Sequence, residues 1–355
     1  MHNEAEATMK IGLTYDLKDD YRSLGMSEDQ IAEFDSHETI EAIEGALRVL
    51  GFETCRIGNI FSLVRKLAAG ETWDMVFNVC EGLYGIGREA QVPALLDAYR
   101  IPCTFSDPCV LSLTLHKALS KRAVRDMGIP TPEFVLIESP ADIARVNMEF
   151  PLFVKPYSEG TSKGITAQSV IRSRDELETM CAELLEQYRQ PVLVERFLPG
   201  REFTVGIVGT GAQAEAIGII EVVLRDQAEQ GVYSYINKDQ CEELVSYIRP
   251  DDPEAAQAIA TALDVWRGLG CFDAGRVDLR SNTRAIPEFI EVNPLAGLHP
   301  THSDLPIICT TEGIAYEELI RRIMASALAR CGLLDRAPDM LRCEPACTDK
   351  KDSAA

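Results

Sequence analysis

The sequence brings acidic and amide side chains together in one late hairpin. In GRVDLRSNTRAIPEFIEVNP, residues 275–294, two strand-like runs flank a short turn. Side chains alternate between the two faces of a strand, so Glu291 and Asn293 share one face while Ile290 and Val292 take the other. Symmetric pairing about the turn sets Asp278 opposite Glu291, which would bring the two carboxylates within about 5 Å of each other.

Opposed carboxylates repel each other unless a cation lies between them. One interpretation of the pattern is a solvated polar face. The other is a Mg²⁺ site, because Asn293 adds a third oxygen ligand beside Asp278 and Glu291, and the opposite face is apolar. We favour the Mg²⁺ site, and Mg²⁺ with few protein ligands usually accompanies bound phosphates.

A lysine followed by a loop of small residues supplies a second candidate site. In FVKPYSEGTSKGI, residues 153–165, Lys155 ends an apolar strand, and the loop behind it contains glycines and small hydroxyl side chains. The backbone N–H groups of such a loop can close over phosphate oxygens. A surface turn and a lysine that extends to solvent are the alternatives. Together with the acidic hairpin, the segment favours a nucleoside triphosphate.

The segment PVLVERFLPGREFTVG, residues 191–206, suits recognition of a nucleoside. Glu195 ends one strand, and Glu202 begins the next. The apolar residues Phe197 and Leu198 lie between them and would flank a base, whose edge the backbone would contact. The Glu202 carboxylate would remain free for ribose hydroxyls.

Two kinds of unit must position these groups. Strand and helix patterns alternate up to about residue 106, which is typical of a small parallel α/β domain. An amphipathic helix then begins near residue 113 and ends at Gly128, and an α+β unit follows it. Another helix is predicted near residue 253, where Asp252 can cap and Pro253 fits the first turn. The last residues, from 336, lack periodicity and are predicted to form a disordered tail.

The composition limits the classes of partner. A chain of 355 residues can form two or three packed units, and no apolar run approaches the roughly 18 to 20 residues of a membrane span. The net charge of −21 argues against nucleic acid as a partner. The acidic start MHNEAEATMK does not resemble a secretory signal, so we expect a cytoplasmic protein.

The order of these motifs resembles that of the ATP-grasp superfamily, and within it the D-alanine:D-alanine ligases. KPYSEGTSKG, VERFLPGREFTV, GRVDLR and EVNPLAGLHPTHSDLP occur in the order and at the spacing of that family. The resemblance implies an α/β N-terminal domain at residues 1–112 and an α+β ATP-grasp fold. Its central lobe at residues 113–205 and its C-terminal lobe at residues 206–335 would enclose ATP.

The resemblance also implies the roles of site residues. ATP would contact Lys117, Lys155, Thr161, Ser162, Glu195, Phe197, Leu198, Glu202, Tyr233 and Lys238. Within that set Lys117 and Lys155 would hold the α- and β-phosphates, and Tyr233 and Lys238 would belong to a mobile lid whose lysine reaches the γ-phosphate. Two Mg²⁺ ions, with Mn²⁺ as a substitute, would bind Asp278, Glu291 and Asn293. Arg276 and Gly297 would face the reacting carboxyl group, and Ser303 would lie near the acceptor carboxylate.

By the same resemblance the reaction joins a carboxylate to an amine. The carboxylate takes the γ-phosphoryl group of ATP to give an acyl phosphate, and the amine then displaces phosphate. Catalysis of this kind depends on positioning and on stabilisation of charge. The substrates would be small amino acids or a related acid and amine, and the protein would be a homodimer.

The substrate end of the chain departs from the family pattern. Glu81 stands where these ligases have the histidine of a His-Gly pair, and Asp304 stands where an apolar residue is expected. Glu33 is the candidate for the carboxylate that holds the first substrate's ammonium group. The extra carboxylates suit a substrate with an additional amine or hydroxyl group. An authentic D-alanine:D-alanine ligase and a non-catalytic ATP-binding regulatory module remain the alternatives.

Overall fold

The computed structural model describes residues 8–229 and 231–342. Over this range the chain forms a parallel sheet followed by two antiparallel sheets, each covered by helices. The predicted combination of an α/β unit and an α+β unit is therefore confirmed.

The first sheet has the strand order β2-β1-β3, and its strands are β1 (Lys10–Tyr15), β2 (Glu53–Gly58) and β3 (Met75–Val79). Helices connect these strands, as parallel pairing requires. The connecting helices are α1 (Lys18–Arg22), α2 (His37–Val49) and α3 (Ile60–Ala68), and α4 (Gln91–Ala98) and α5 (Pro108–Leu115) follow β3. Helix α2 begins where the Ser36 hydroxyl accepts a hydrogen bond from the Thr39 amide at 3.2 Å.

The central sheet has the order β4-β7-β5-β6, with β4 (Phe134–Ile137), β5 (Leu152–Pro156), β6 (Val170–Ile171) and β7 (Val192–Arg196). Helix α6 (Lys117–Asp126) precedes this sheet, and α7 (Arg174–Tyr188) covers it. Leu177 and Leu184 of α7 pack against Val154 and Val194 of the sheet, so the central lobe has a core of its own.

The C-terminal sheet has the order β10-β9-β8-β11-β12, with β8 (Glu202–Val208), β9 (Glu215–Leu224), β10 (Val245–Ile248), β11 (Ala274–Ser281) and β12 (Pro287–Asn293). Its helices are α8 (Tyr235–Asp239), α9 (Cys241–Leu244), α10 (Pro253–Leu269), α11 (Asp304–Thr311), α12 (Tyr316–Arg330) and α13 (Asp339–Arg342). Helix α10 begins at Pro253, and the Asp252 carboxylate caps it as predicted, accepting hydrogen bonds from the Glu254 and Ala255 amides, each at 3.0 Å.

The N-terminal unit and the C-terminal lobe share one apolar core. Ile43 and Leu47 of α2 belong to the same buried cluster as Ile323 and Leu328 of α12. The central sheet contributes no residue to this cluster. The two ends of the chain are thus held together by burial of apolar surface.

Two predicted domain limits need correction. The limit at 112/113 lies inside α5, which is one continuous helix. The limit at 205/206 lies inside β8, which pairs with β11 over its whole length and so belongs entirely to the C-terminal sheet. The tail predicted from residue 336 is folded at its start, because α13 (Asp339–Arg342) buries Leu341; residues 343–355 lie outside the described residues.

Candidate active site

The acidic hairpin pairs in the predicted register. Asp278 on β11 lies directly opposite Glu291 on β12, and Arg276 lies opposite Asn293. One detail of the prediction is wrong. The register shifts between Asp278 and Leu279, which inserts an extra residue into β12, and Ile290 lines the same cavity as the carboxylates instead of the apolar face.

Basic side chains surround the two carboxylates. The Lys117 ammonium lies 3.3 Å from Glu291 Oε2, and the Arg276 guanidinium donates a hydrogen bond to Asp278. Burial would raise the pKa of Glu291, but Lys117, Lys155 and Arg276 outweigh it and hold that pKa below its usual range. Burial raises the pKa of Asp278, against the lowering effect of Arg276. One carboxylate is therefore strongly favoured as an anion, and its neighbour is costly to ionise without a further cation.

The carboxylate of Glu195 lies between two buried lysines. Its two oxygens are 2.9 Å from Lys155 Nζ and 3.0 Å from Lys121 Nζ. Lys121 also donates hydrogen bonds to Thr131 Oγ1 and to the Phe289 carbonyl, each at 3.2 Å. The side chain of Glu195 therefore holds lysines in place, while only its position at the end of β7 matches the predicted base-binding hinge.

Lys121 was missed by the sequence reasoning. A signal for it exists, since Lys117 and Lys121 are four residues apart and so share one face of α6. Both side chains are buried, which is costly for an ammonium group without partners. Burial lowers the pKa of Lys121 to about 8.

The loop after β5 has the backbone shape expected of a phosphate-binding loop. Thr161 and Ser162 have positive φ values of 49° and 56°, and both line a cavity with Lys155. The Lys117 ammonium donates to the carbonyl of Glu159 at 2.5 Å. The loop thus curves beside the ammonium groups of Lys117 and Lys155, with a backbone conformation that can present N–H groups to an anion.

Glu33 does not present a free carboxylate to a substrate. One of its oxygens accepts a hydrogen bond from the Gly160 amide at 2.5 Å, and the other accepts from Arg88 Nη2 at 2.8 Å. Arg88 in turn donates to the Ser158 carbonyl at 3.0 Å. Glu33 therefore links the loop after β5 to the N-terminal unit. Its side chain also lines the larger cavity, and its contact with a substrate ammonium group stays a prediction.

The smaller of two adjoining cavities lies between the central and C-terminal sheets. It is lined by the predicted nucleotide-binding residues Lys155, Thr161, Ser162, Glu195, Phe197, Leu198, Glu202, Tyr233 and Lys238. Arg276, Asp278, Arg280 and Glu291 line it from the hairpin side. Burial raises the pKa of Glu202, and the Arg280 guanidinium donates to this carboxylate at 3.0 Å. Arg280 is a second residue that sequence reasoning missed.

Asp304 lies behind two predicted catalytic cations. Its Oδ2 atom is 2.9 Å from Lys238 Nζ and 3.3 Å from Arg276 Nε. Burial would raise the pKa of this carboxyl, but Lys238 and Arg276 hold it below its usual range. The expected contact between Asp304 and a substrate does not fit this placement, because both cations already engage its carboxylate.

The larger cavity, of about 490 Å³, opens beside these groups. Its walls include Glu81, Arg276, Gly297 and Ser303. A side chain at position 297 would place its Cβ 2.8 Å from the Ser303 hydroxyl, so a larger residue there would force the Ser303 side chain to shift. Lys117, Lys238, Glu291 and Asn293 also line this cavity, which joins the predicted metal ligands and cations to a space of the size of a small ligand.

Comparison with known proteins identifies the family. The sequence pattern of the D-ala D-ala ligase C-terminus matches residues 123–325, which is more than half of the chain. The chain belongs to the D-alanine–D-alanine ligase family. A D-alanine–D-alanine ligase of Bordetella petrii is 32% identical over 273 residues, covering 76% of this chain and 80% of that protein. A D-alanine–D-alanine ligase of Marinomonas is 31% identical over 265 residues, or 73% of this chain and 79% of that protein.

Solved structures of this family share the fold. A D-alanine–D-alanine ligase from Bacillus anthracis, complexed with ATP, matches with a TM-score of 0.66 at 22% identity, over 91% of this chain and 98% of that chain. The VanG D-Ala:D-Ser ligase from Enterococcus faecalis matches with a TM-score of 0.69 at 19% identity, over 90% of this chain and 99% of that chain. The predicted ATP-grasp fold is thereby confirmed.

Membership of the D-alanine–D-alanine ligase family also confirms the class of reaction. The chain is an ATP-dependent ligase of the D-Ala:D-Ala type, which forms a carbon–nitrogen bond. Among the helices within residues 8–229 and 231–342, none combines the length and the apolar character needed to cross a membrane.

Proposed function

We propose that this ligase joins the carboxyl group of one small amino acid to the amine of another through an acyl phosphate. The carboxylate takes the γ-phosphoryl group of ATP and releases ADP. The amine then attacks the acyl carbon, and phosphate leaves. One observation carries the proposal. Lys117, Lys155, Lys238 and Arg276 converge with the carboxylates of Asp278 and Glu291 where the two cavities adjoin.

The four cations contact different phosphates of ATP or the reacting groups beside them. Lys117 and Lys155 hold the α- and β-phosphates beside the loop that carries Thr161 and Ser162. Lys238 reaches the γ-phosphate from the lid, where Tyr233 lies 5.6 Å from its ammonium group. Fixed positive charges in an enclosed site stabilise a transferring phosphoryl group without reorganisation of solvent.

The base and the sugar occupy the other end of the smaller cavity. Phe197 and Leu198 flank the base from the segment after β7, and Ile290 adds apolar surface from the bulge in β12. Glu202 accepts hydrogen bonds from ribose hydroxyls. Backbone groups of the segment from Glu195 to Phe197 contact the edge of the base.

The three oxygen donors of the hairpin fit Mg²⁺. Asp278 and Glu291 face each other across paired strands, and Asn293 lies two residues from Glu291 on the same face. Burial already disfavours ionisation of Asp278, so a divalent cation there would relieve a real cost. When bound, Mg²⁺, or Mn²⁺ in its place, would neutralise charge on the phosphates.

Arg276, Gly297 and Ser303 act on the reacting groups. The Arg276 guanidinium stabilises the oxyanion that forms when the amine attacks the acyl carbon. Gly297 leaves room for the carboxyl group beside the Ser303 hydroxyl, which accepts a hydrogen bond from the His299 amide at 3.0 Å. Ser303 then contacts the carboxylate of the acceptor.

The carboxylates of the larger cavity support an amino acid substrate with an additional amine or hydroxyl group. Burial raises the pKa of Glu81 well above its usual range, and repulsion by Glu89 raises it further. Burial likewise raises the pKa of Glu89 to about 7. A cationic substrate would offset the free-energy cost of ionising these two buried carboxyl groups. The names of the relatives favour the alternative, an authentic D-alanine:D-alanine ligase.

Release of ADP, measured with ATP, Mg²⁺ and a panel of amino acids, tests the proposal, and mass spectrometry identifies the product. We expect a dipeptide that contains a hydroxyl- or amine-bearing residue. Activity with plain D-alanine alone would support the authentic D-alanine:D-alanine ligase. Binding of ATP without any hydrolysis stimulated by a substrate would support the non-catalytic module.

We further propose that the enzyme works in the cytoplasm as a homodimer, in keeping with its use of ATP and with its family. Light scattering coupled to size-exclusion chromatography measures the mass of the assembly. A mass equal to that of one chain would contradict the homodimer.

A further inference from the structure

Arg280 makes contacts in three directions from the end of β11. It donates to Glu202 Oε2 at 3.0 Å and to the Gly231 carbonyl at 3.0 Å. Its guanidinium carbon lies 5.2 Å from the centre of the Phe197 ring, within the range of a cation–π contact. One side chain thus joins the carboxylate proposed for ribose, a residue proposed for the base, and the segment that carries Lys238.

The contact with Glu202 determines what that carboxylate can do. Burial raises the pKa of Glu202, and Arg280 is the largest influence that lowers it. A carboxylate that stays ionised accepts hydrogen bonds about twice as strong as those of a neutral acceptor. Arg280 therefore maintains the form of Glu202 that best distinguishes a sugar hydroxyl from a hydrogen atom.

The contact with Gly231 concerns access to the site. Gly231 belongs to the lid segment, residues 225–229 and 231–244, which connects β9 to β10. The smaller cavity measures about 100 Å³, well below the roughly 300 Å³ of a typical ligand site. The lid segment must therefore move to admit a nucleotide. When it closes again, its main chain docks on the same guanidinium that holds Glu202.

The Nε–H group of Arg280 is a buried donor whose missing hydrogen bond a ligand could supply. It is enclosed by protein and has no hydrogen-bond partner among the described residues. A buried donor without an acceptor is unfavourable, and such groups in folded proteins call for an explanation. A nucleotide brings oxygen and nitrogen acceptors into the cavity that Arg280 lines.

We propose that Arg280 is a specificity-determining residue that makes this ligase select a ribonucleotide and couples that selection to closure of the lid. Arg280 acts through Glu202 on the ribose and through Gly231 on the lid. The inference rests on the proposed function, since it assumes that the smaller cavity holds ATP. It adds the selection of the sugar and names the residue that links it to the lid.

Equilibrium binding of ATP, 2′-deoxyATP and 3′-deoxyATP, measured by titration calorimetry, tests the proposal without any amino acid substrate. We expect the wild-type enzyme to prefer ATP over the deoxynucleotides by about 10-fold or more, as one charge-assisted hydrogen bond provides. Arg280→Met should reduce this preference to about 3-fold or less. Glu202→Gln should have the same effect, and the double variant should lose nothing further, because both residues act through one contact.

Limited proteolysis of the lid provides the second measurement. A non-hydrolysable ATP analogue should protect the lid of the wild-type enzyme but not that of Arg280→Met. Arg284→Met is the matched control, because Arg284 lies exposed in the β11–β12 turn. This variant should keep both the nucleotide preference and the protection.

Equal loss of affinity for ATP and both deoxynucleotides in Arg280→Met, or additive losses in the double variant, would overturn the inference and leave the ligase proposal intact. Failure of the wild-type enzyme to bind ATP would overturn both. A lid that the analogue protects equally in Arg280→Met would refute the coupling to closure.

Discussion

Glu195→Gln provides a direct test of the charge arrangement beneath the proposed phosphate site. In the wild-type protein this carboxylate faces the ammonium groups of Lys121 and Lys155 at 3.0 Å and 2.9 Å, and all three side chains are at most 4% exposed. The substitution keeps the shape of the side chain but removes the one carboxylate that, among the described residues, forms an ion pair with Lys121. Two like charges then remain together in a buried site.

The expected loss of stability is large. Breaking a buried ion pair by removing one partner costs about 3–5 kcal/mol. The amide oxygen of glutamine can still accept one hydrogen bond, which offsets about 1 kcal/mol, so we expect a net loss of about 3 kcal/mol. For a chain of this size such a loss lowers Tm by roughly 4 °C.

The loss should also depend on pH with a definite sign. Lys121 has a pKa of about 8 even beside Glu195, below that of an unfolded lysine. Without Glu195, the pKa of Lys121 falls further, and the pKa of Lys155, which Glu195 helps to hold above its usual value, falls as well. Protonation then costs folded-state stability below these lowered values, and the cost disappears as pH rises from the folded pKa toward the unfolded one. The difference in Tm between Glu195→Gln and the wild-type protein should therefore shrink between about pH 7 and about pH 9.5.

Thermal unfolding followed by circular dichroism at several pH values measures both effects. Glu183→Gln removes a charge from the exposed face of α7 and is the matched control, with a Tm within about 1 °C of the wild-type value. A Tm for Glu195→Gln that matches this control, or a deficit that grows with pH, would refute the ion-pair argument.

Three further perturbations address the site itself. Asp278→Asn removes a proposed Mg²⁺ ligand, and kcat should fall by about 100-fold or more, with no recovery when Mg²⁺ is titrated in the ADP-release assay. Asp304→Asn removes the shared counter-ion of Lys238 and Arg276, so steady-state kinetics should show kcat about 10-fold lower with little change in KM for ATP; an unchanged kcat would exclude a positioning role. Because the pKa of Glu89 is about 7, this carboxyl becomes anionic above that pH, and KM for an amine-bearing substrate should fall as pH rises from about 6 to about 8; Glu89→Gln should abolish the trend.

Local patterns predicted the hairpin well. The alternation of side chains along a strand and the symmetry of the turn were enough to pair Asp278 with Glu291. The same rule misplaced Ile290, because a bulge is an insertion in one strand relative to its partner, and no feature of one strand alone reveals it. The order of helix and strand patterns was enough to predict the α/β and α+β units. The predicted domain limits at 112/113 and 205/206 were wrong, because each falls inside a continuous helix or strand.

Contacts between segments that are distant in the chain could not be predicted from the sequence. Lys121 meets Glu195, and Glu33 meets Gly160, across separations that no local periodicity encodes. Asp304 was predicted to contact the substrate because it stands where the family pattern has an apolar residue. Its actual partners became clear only when the lid and β11 were brought together by the fold.

The common core of α2 and α12 has a mechanical consequence. The N-terminal unit and the C-terminal lobe are joined by a shared apolar core, and separating them would expose that core to water. We therefore expect the two to move as one rigid body. Polar contacts link the central lobe to that body: the Gly160 amide donates a hydrogen bond to Glu33, and Arg88 donates one to the Ser158 carbonyl. Such hydrogen bonds can be exchanged for hydrogen bonds to water, with a net cost far below that of exposing an apolar core. We therefore expect the central sheet to move relative to that body, together with the lid segment, when nucleotide binds and leaves.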